Sequence, residues 1–169
     1  ETSPRLAKEI QNKVDSFGNI RIITAVLSPQ RMADLIASVD IVLSLHRSEG
    51  FGLLPAQAMV LEKPSIATYW SGNMDYMSVE ASIRIPPKRL VPVRDPQGIY
   101  PYPSQRWAEP DLDLAAAALR RLADDPGERR RLGETAAAAI REHCSPERYW
   151  QAVGPDFQRL CTPGAHSGA

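Results

Sequence analysis

Cysteine is scarce in this chain: only Cys144 and Cys161 occur. Their separation matches no zinc-module spacing. One disulfide between them is allowed, but two thiols in a chain of this size fit a reducing cytosol better. Net charge is missing too. Twenty basic residues balance twenty acidic ones, so there is no global field to draw nucleic acid or an anionic membrane. No apolar run reaches the roughly 20 residues of a membrane span, and no signal-peptide pattern opens the chain. No cluster of His, Cys, Asp and Glu resembles a metal site, so no metal is expected. Internal repeats are absent. What remains is a balanced chain, 43% hydrophobic, able to bury a real core as one domain or a large part of one. It starts at Glu1, without Met and directly at a helix signal, which reads as an excised fragment.

Helix signals are plentiful. Ser3-Pro4, Ser28-Pro29, Asp125-Pro126 and Ser145-Pro146 each set a polar cap before a proline. Proline suits the first helical position because its missing N–H is not needed there. Asp125 and Glu128 have capping-box spacing. Leu6, Ile10, Val14 and Phe17 give the first helix an apolar stripe, which Gly18 stops. Met32, Leu35, Ile36 and Val39 do the same for the second. Between helices lie short apolar runs at Ile20–Thr24, Ile41–Leu45, Ser65–Thr68 and Ile83–Ile85. Their alternation with helices argues for an α/β fold with a parallel sheet covered on both faces. Proline is dense from Pro86 to Pro110 without periodicity, which reads as a long ordered loop. Two alanine- and arginine-rich helices follow, then one from Pro146 to about Leu160. Residues 1–161 are read as the domain and 162–169 as a disordered tail.

The densest information lies in Leu43-Ser44-Leu45-His46-Arg47-Ser48-Glu49-Gly50-Phe51-Gly52-Leu53-Leu54-Pro55-Ala56-Gln57-Ala58-Met59. It reads as a buried strand, a tight glycine turn and a helix starting at Leu54 or Pro55. An open helix N-terminus presents unpaired N–H groups and the positive end of the dipole, so it can hold an anion such as phosphate. Glu49 stands at the turn, and Gln57 lies eight positions later on the helix.

These residues resemble the C-terminal, donor-binding domain of the group 1 (family 4) retaining glycosyltransferases, which have the two-domain GT-B fold. Glu49 matches the first Glu of the family's Glu, seven residues, Glu pattern. Gly50-Phe51-Gly52-Leu53 matches the turn, Ala58-Met59 the helix start, and Lys63-Pro64-Ser65-Ile66-Ala67-Thr68 the next strand. Ser71-Gly72-Asn73-Met74-Asp75 and Trp107-Ala108-Glu109-Pro110 are similar to later loops. The likeness runs from about Asn19 to about Tyr149. One departure matters: the second Glu is Gln57. The resemblance implies a Rossmann-like sheet whose first two strands precede Glu1. In the usual doubly wound order those strands lie between the third and fourth. Their absence leaves exposed edges, and the expected outcomes are that the fragment closes its own sheet, pairs with another copy, or needs the missing segment.

For the site, the resemblance implies a nucleotide diphosphate sugar as donor, transferred to an acceptor hydroxyl with retention. Glu49 is the expected catalytic-site acid, facing sugar hydroxyls. His46, Gly50, Phe51, Gly52, Leu53, Gln57 and Leu27 are the expected donor-binding residues. Gln57 is read on the ribose, where a neutral amide replaces a carboxylate. His46 reads equally as a ligand contact or as packing under the loop, and Leu27 equally as a base contact or plain connection. Arg47 reads rather as a solvated loop arginine, with its charge beside a phosphate as the weaker reading. One basic position of the family falls near Met32 and is lost unless Arg31 replaces it. Asp111-Leu112-Asp113 reads as a helix cap rather than a metal motif. The arginines at 120–121 and 129–131 read as a salt-bridged face.

The implied whole is a hexosyltransferase-like enzyme of bacterial type. Its acceptor site lies in an absent N-terminal domain, so the fragment alone is expected to be inactive. The expected setting is cytoplasmic, with peripheral membrane attachment of the full-length protein left open. No cofactor and no nucleic-acid partner are expected. The rival expectation is a degenerate, non-catalytic domain kept as a scaffold, motivated by Gln57 and the missing basic residues.

Overall fold

The computed structural model describes residues 4–93, 102 and 104–161. The tail at 162–169, and residues 94–101 and 103 of the long loop expected between Pro86 and Pro110, therefore lie outside the described residues. Contacts divide the chain into two units, 1–32 and 33–169.

The first unit holds α1, Pro4–Asp15, which starts at the proline the sequence marks. Gly18 follows with φ 69°, the left-handed conformation that ends helices. The expected strand at Ile20–Thr24 does not form, because extended backbone becomes a strand only on a ladder, and none of the described strands pairs with it. Ile20, Ile22 and Ile23 are exposed, as are Leu6, Ile10 and Phe17 of the expected helical stripe. α2, Pro29–Ser38, begins here and ends in the second unit. Ser28 Oγ accepts the Arg31 N–H across its first turn at 3.3 Å.

In the second unit, β1 (Val42–Ser44), β2 (Ser65–Thr68) and β3 (Ile83–Ile85) form a parallel sheet in the order β1-β2-β3. Leu43 stands opposite Ile66, and Ile66 opposite Ile83. β2 is central and buried throughout. Its alternation sends Ala67 to one face and Ile66 to the other. On the first face Ala67 joins Ala56, Met59, Tyr76, Met77, Ala136 and Ile140 in a core that includes α3 (Leu53–Val60) and α5 (Pro126–His143). On the second face Ile66 and Ile85 pack on Ala115, Ala118 and Leu122 of α4, Leu112–Asp124. The expected Rossmann-like arrangement, a parallel sheet with helices on both faces, is present. Ala136 and Ala137 of the alanine run are fully buried packing positions.

The expected loop from Pro86 contains two strands, β4 (Pro87–Pro92) and β5 (Arg106–Pro110), paired antiparallel. A two-stranded ribbon is all edge, so prolines at strand ends remove few ladder bonds. Their density concealed the pair. Helix ends follow the sequence more closely. Asp111 Oδ1 accepts from the N–H of Asp113 and Leu114 at 3.0 and 3.1 Å, a cap as expected. Asp125 Oδ1 accepts from Glu128 N–H at 2.8 Å. The capping box is only half made, because Glu128 turns to Arg121 at 3.2 Å and Asp125 N–H goes to the Arg121 carbonyl. Arg129 donates to the Leu122 and Ala123 carbonyls that end α4. α6, Pro146–Cys161, closes the described chain. Both cysteines are free and exposed. No described helix is long and apolar enough to cross a membrane.

Candidate functional site

In an open parallel sheet, ligand-binding loops follow the C-terminal ends of strands. Past the end of β1 the chain runs Leu45 to Phe51 and enters α3 at Gly52. This helix starts at Leu53, one residue earlier than the pattern suggested and five before Ala58. Gly52 has φ 85° and ψ 60° and, having no side chain, supplies no cap. The first helical bond runs from Ala56 N–H to the Gly52 carbonyl at 3.1 Å. Pro55 has no N–H to offer, so the amides at the mouth of the helix are those of Leu53 and Leu54.

The 3₁₀ turn Ser71–Asp75, after β2, holds this turn in place. Glu49 N–H donates to Ser71 Oγ at 2.8 Å, and the Glu49 carbonyl accepts from Gly72 N–H at 3.2 Å. A Cβ at Gly72 would overlap the Gly50 carbonyl, so the two backbones touch directly. Tyr76 O–H donates to the Gly52 carbonyl at 2.6 Å, and its ring lies 5.0 Å from that of Phe51. Burial, with the nearby Glu49 and Cys144 adding to it, pushes the Tyr76 hydroxyl above its ordinary value of 10.0. The phenol therefore stays protonated and remains a donor. Asn73, fully buried, donates to the Thr68 carbonyl at 2.8 Å and ties the 3₁₀ turn to β2.

Glu49 is half-buried, while Gly50, Phe51 and Leu53 are exposed on the same turn. Gln57 is exposed and lines an apolar groove of about 510 Å³ with Phe51, Ala56, Val60, Ile140 and Cys144. His46 is held on both sides: Nε2 lies 3.1 Å from the Trp70 carbonyl and Nδ1 3.3 Å from Ser44 Oγ. The carbonyl needs a proton on Nε2, so Nδ1 accepts from the serine hydroxyl. Arg47 is exposed, as a solvated loop arginine would be, but it also has fixed partners. Its guanidinium meets Glu109 at 3.0 Å and stacks over Trp107 at 4.9 Å, and its carbonyl accepts the Ala108 N–H at 2.8 Å. Arg47 thus fastens the loop to β5. Leu27 lies in the first unit and is half-buried, and Arg31 is exposed.

The structure gathers Glu49, Gly50, Phe51, Gly52 and Leu53 on one turn, with His46 beneath and Gln57 on the helix behind. Sequence reasoning missed Ser71 and Tyr76. Both lie at or beside a motif the sequence offers, but their roles depend on a fold-back from β2 to the turn after β1. Among the described residues no group of three side chains is arranged to hold a metal.

No family model and no curated protein matches the chain. Its structure is similar to that of the sucrose-phosphate synthase from Thermosynechococcus elongatus, with a TM-score of 0.63 at 18% sequence identity. The match covers 94% of this chain and 36% of the synthase, so the chain spans about a third of that protein's length. At this identity the likeness is one of fold: a GT-B-like, Rossmann-like domain fragment.

Proposed function

We propose that this domain is the donor-binding half of a retaining glycosyltransferase of the group 1 (family 4) kind. In this reading it holds a nucleotide diphosphate sugar at the Gly50–Leu53 turn. The observation that carries the reading is the uncapped mouth of α3, set behind a left-handed glycine with Glu49 clamped beside it. Unpaired amides and the dipole end favour a diphosphate. Glu49 faces the sugar, and Gln57, on the next turn of the same helix, reaches the ribose. Phe51 and the apolar groove flank the nucleoside. His46, hydrogen-bonded on both sides, steadies the floor of the loop. The fold neighbour is by name a synthase of a sugar phosphate, which accords with the reading.

Catalysis on this reading rests on stabilising the departing diphosphate and fixing the sugar in place. The acceptor enters from a second domain, so the chain by itself binds donor without turnover. No metal is needed, because the helix mouth supplies the positive end. The rival reading is a scaffold that has lost the donor. It draws on Gln57 and on Arg47, whose charge is spent on Glu109. Titration calorimetry with nucleoside diphosphates and monophosphates tests the proposal. Diphosphates are expected to bind at least about tenfold more tightly, since the second phosphate is the one nearest the helix amides. Equal affinity, or none for either, sinks the site assignment and leaves the scaffold.

A further inference from the structure

Ser71 has φ 65°, a left-handed conformation that a residue with a Cβ adopts only at a cost. Glycine is the default in that region, and the very next residue is a glycine. A strained non-glycine persists where the surrounding structure holds it and its side chain is needed. The Ser71 hydroxyl both accepts and donates. It accepts the Glu49 N–H at 2.8 Å and donates to the Trp70 carbonyl at 2.7 Å. With Gly72 N–H on the Glu49 carbonyl at 3.2 Å, residues 71 and 72 grip both backbone polar groups of Glu49. No other residue of the turn is held at both its N–H and its C=O by the 3₁₀ segment, among the described bonds. The grip falls on the one acid of the loop.

We propose that Ser71 is a positioning residue for Glu49: its hydroxyl fixes the Glu49 backbone so that the carboxylate meets the sugar of the donor. This inference rests on the donor reading given above. It adds a specific division of labour. Ser71 serves recognition of the sugar, through Glu49, and leaves the diphosphate grip of the helix mouth unaffected.

The test is calorimetry on the full chain with UDP-glucose and GDP-mannose, each measured against its own nucleoside diphosphate. The readout is the ratio of the two affinities. Ser71→Ala removes the hydroxyl and keeps the backbone strain. Ser71→Gly removes the hydroxyl and relaxes the strain, so it carries the test if the alanine variant fails to fold. Both are expected to lower affinity for the nucleotide sugar by about 3–10-fold, the scale of one lost hydrogen bond. Affinity for the nucleoside diphosphate is expected to change by less than about twofold. In a Glu49→Gln background Ser71→Gly is expected to leave the ratio unchanged, because coupled residues are not additive. Equal weakening of both ligands shows a structural role and overturns the proposal. So does an unchanged ratio in the single variants, or full additivity with Glu49→Gln. If the unaltered chain binds nucleoside diphosphates but no sugar preference exists, the positioning role falls while the helix-mouth site stands. If it binds none of these probes, the donor reading itself falls, and this inference with it.

Discussion

Gly52 is constrained from inside the protein. A Cβ there would lie 2.7 Å from the Tyr76 hydroxyl and 3.1 Å from Asn73 Cβ. A side chain there would push into the contact with Tyr76 and Asn73 that holds the turn. Gly52→Ala is expected to destabilise by about 2–4 kcal/mol, combining positive-φ strain with overpacking. The denaturation midpoint measures it, and a loss below about 0.5 kcal/mol would show that the turn relaxes freely. Gln57 is the residue at which enzyme and scaffold part. On the proposed reading Gln57→Glu tightens donor binding by about 0.5–1.5 kcal/mol, as a neutral hydrogen bond to the ribose becomes charge-assisted. Repulsion from the diphosphate offsets part of that gain. Gln57→Ala weakens binding, and a 2′-deoxy donor erases most of the difference among the variants. Equal binding of the ordinary donor by all three would leave Gln57 as a helix residue only.

The 3₁₀ turn Ser71–Asp75 and the tyrosine after it act together as a buttress for α3 and its glycine turn. Tyr76 is nearly fully buried, and its O–H is a second donor to the Gly52 carbonyl, beside the Ala56 N–H. Tyr76→Phe keeps the ring contact with Phe51 and removes the donor. The expected loss is about 0.5–1.5 kcal/mol, the scale of one net hydrogen bond, because the Gly52 carbonyl keeps the Ala56 N–H. The pH dependence has a definite sign. The folded protein holds the phenol protonated above pH 10, whereas in the unfolded chain it ionises near 10.0. The unfolded state then binds fewer protons, so stability falls as pH rises. The Tyr76 contribution is fully present below pH 10 and declines above it. Urea melts from pH 8 to 11 are expected to show the gap between wild type and Tyr76→Phe narrowing only above pH 10. A gap that narrows below pH 9 would contradict the burial of this hydroxyl. At the helix ends the sequence was a good guide, because caps are local: Asp111, Asp125 and Ser28 each bond within three residues. It was a poorer guide to Glu128, whose partner Arg121 lies on the preceding helix.

Across the whole molecule, the three parallel strands of the 33–169 unit separate two cores, and the candidate turn rises at the end of the strand on the sheet's edge. Within the sequence itself, periodicity and capping determined the six helices of the described residues, three of the four expected parallel strands, and the strand–glycine–helix passage that carries Glu49, Gly52 and Gln57. All of these depend on spacing a few residues long, because helix caps, helix faces and strand alternation are local. The tertiary structure alone decided the rest. It withheld strand structure from Ile20–Thr24, since a ladder needs a neighbour that no local pattern can supply. It paired β4 with β5 across a proline-rich stretch that has no helical or strand period. It set the exposed Arg47 against Glu109, 62 residues later, and brought Ser71 and Tyr76, 22 and 24 residues away, onto the turn. Each of these is a contact between distant segments, and its partner is chosen by how the strands stack rather than by anything written beside the residue.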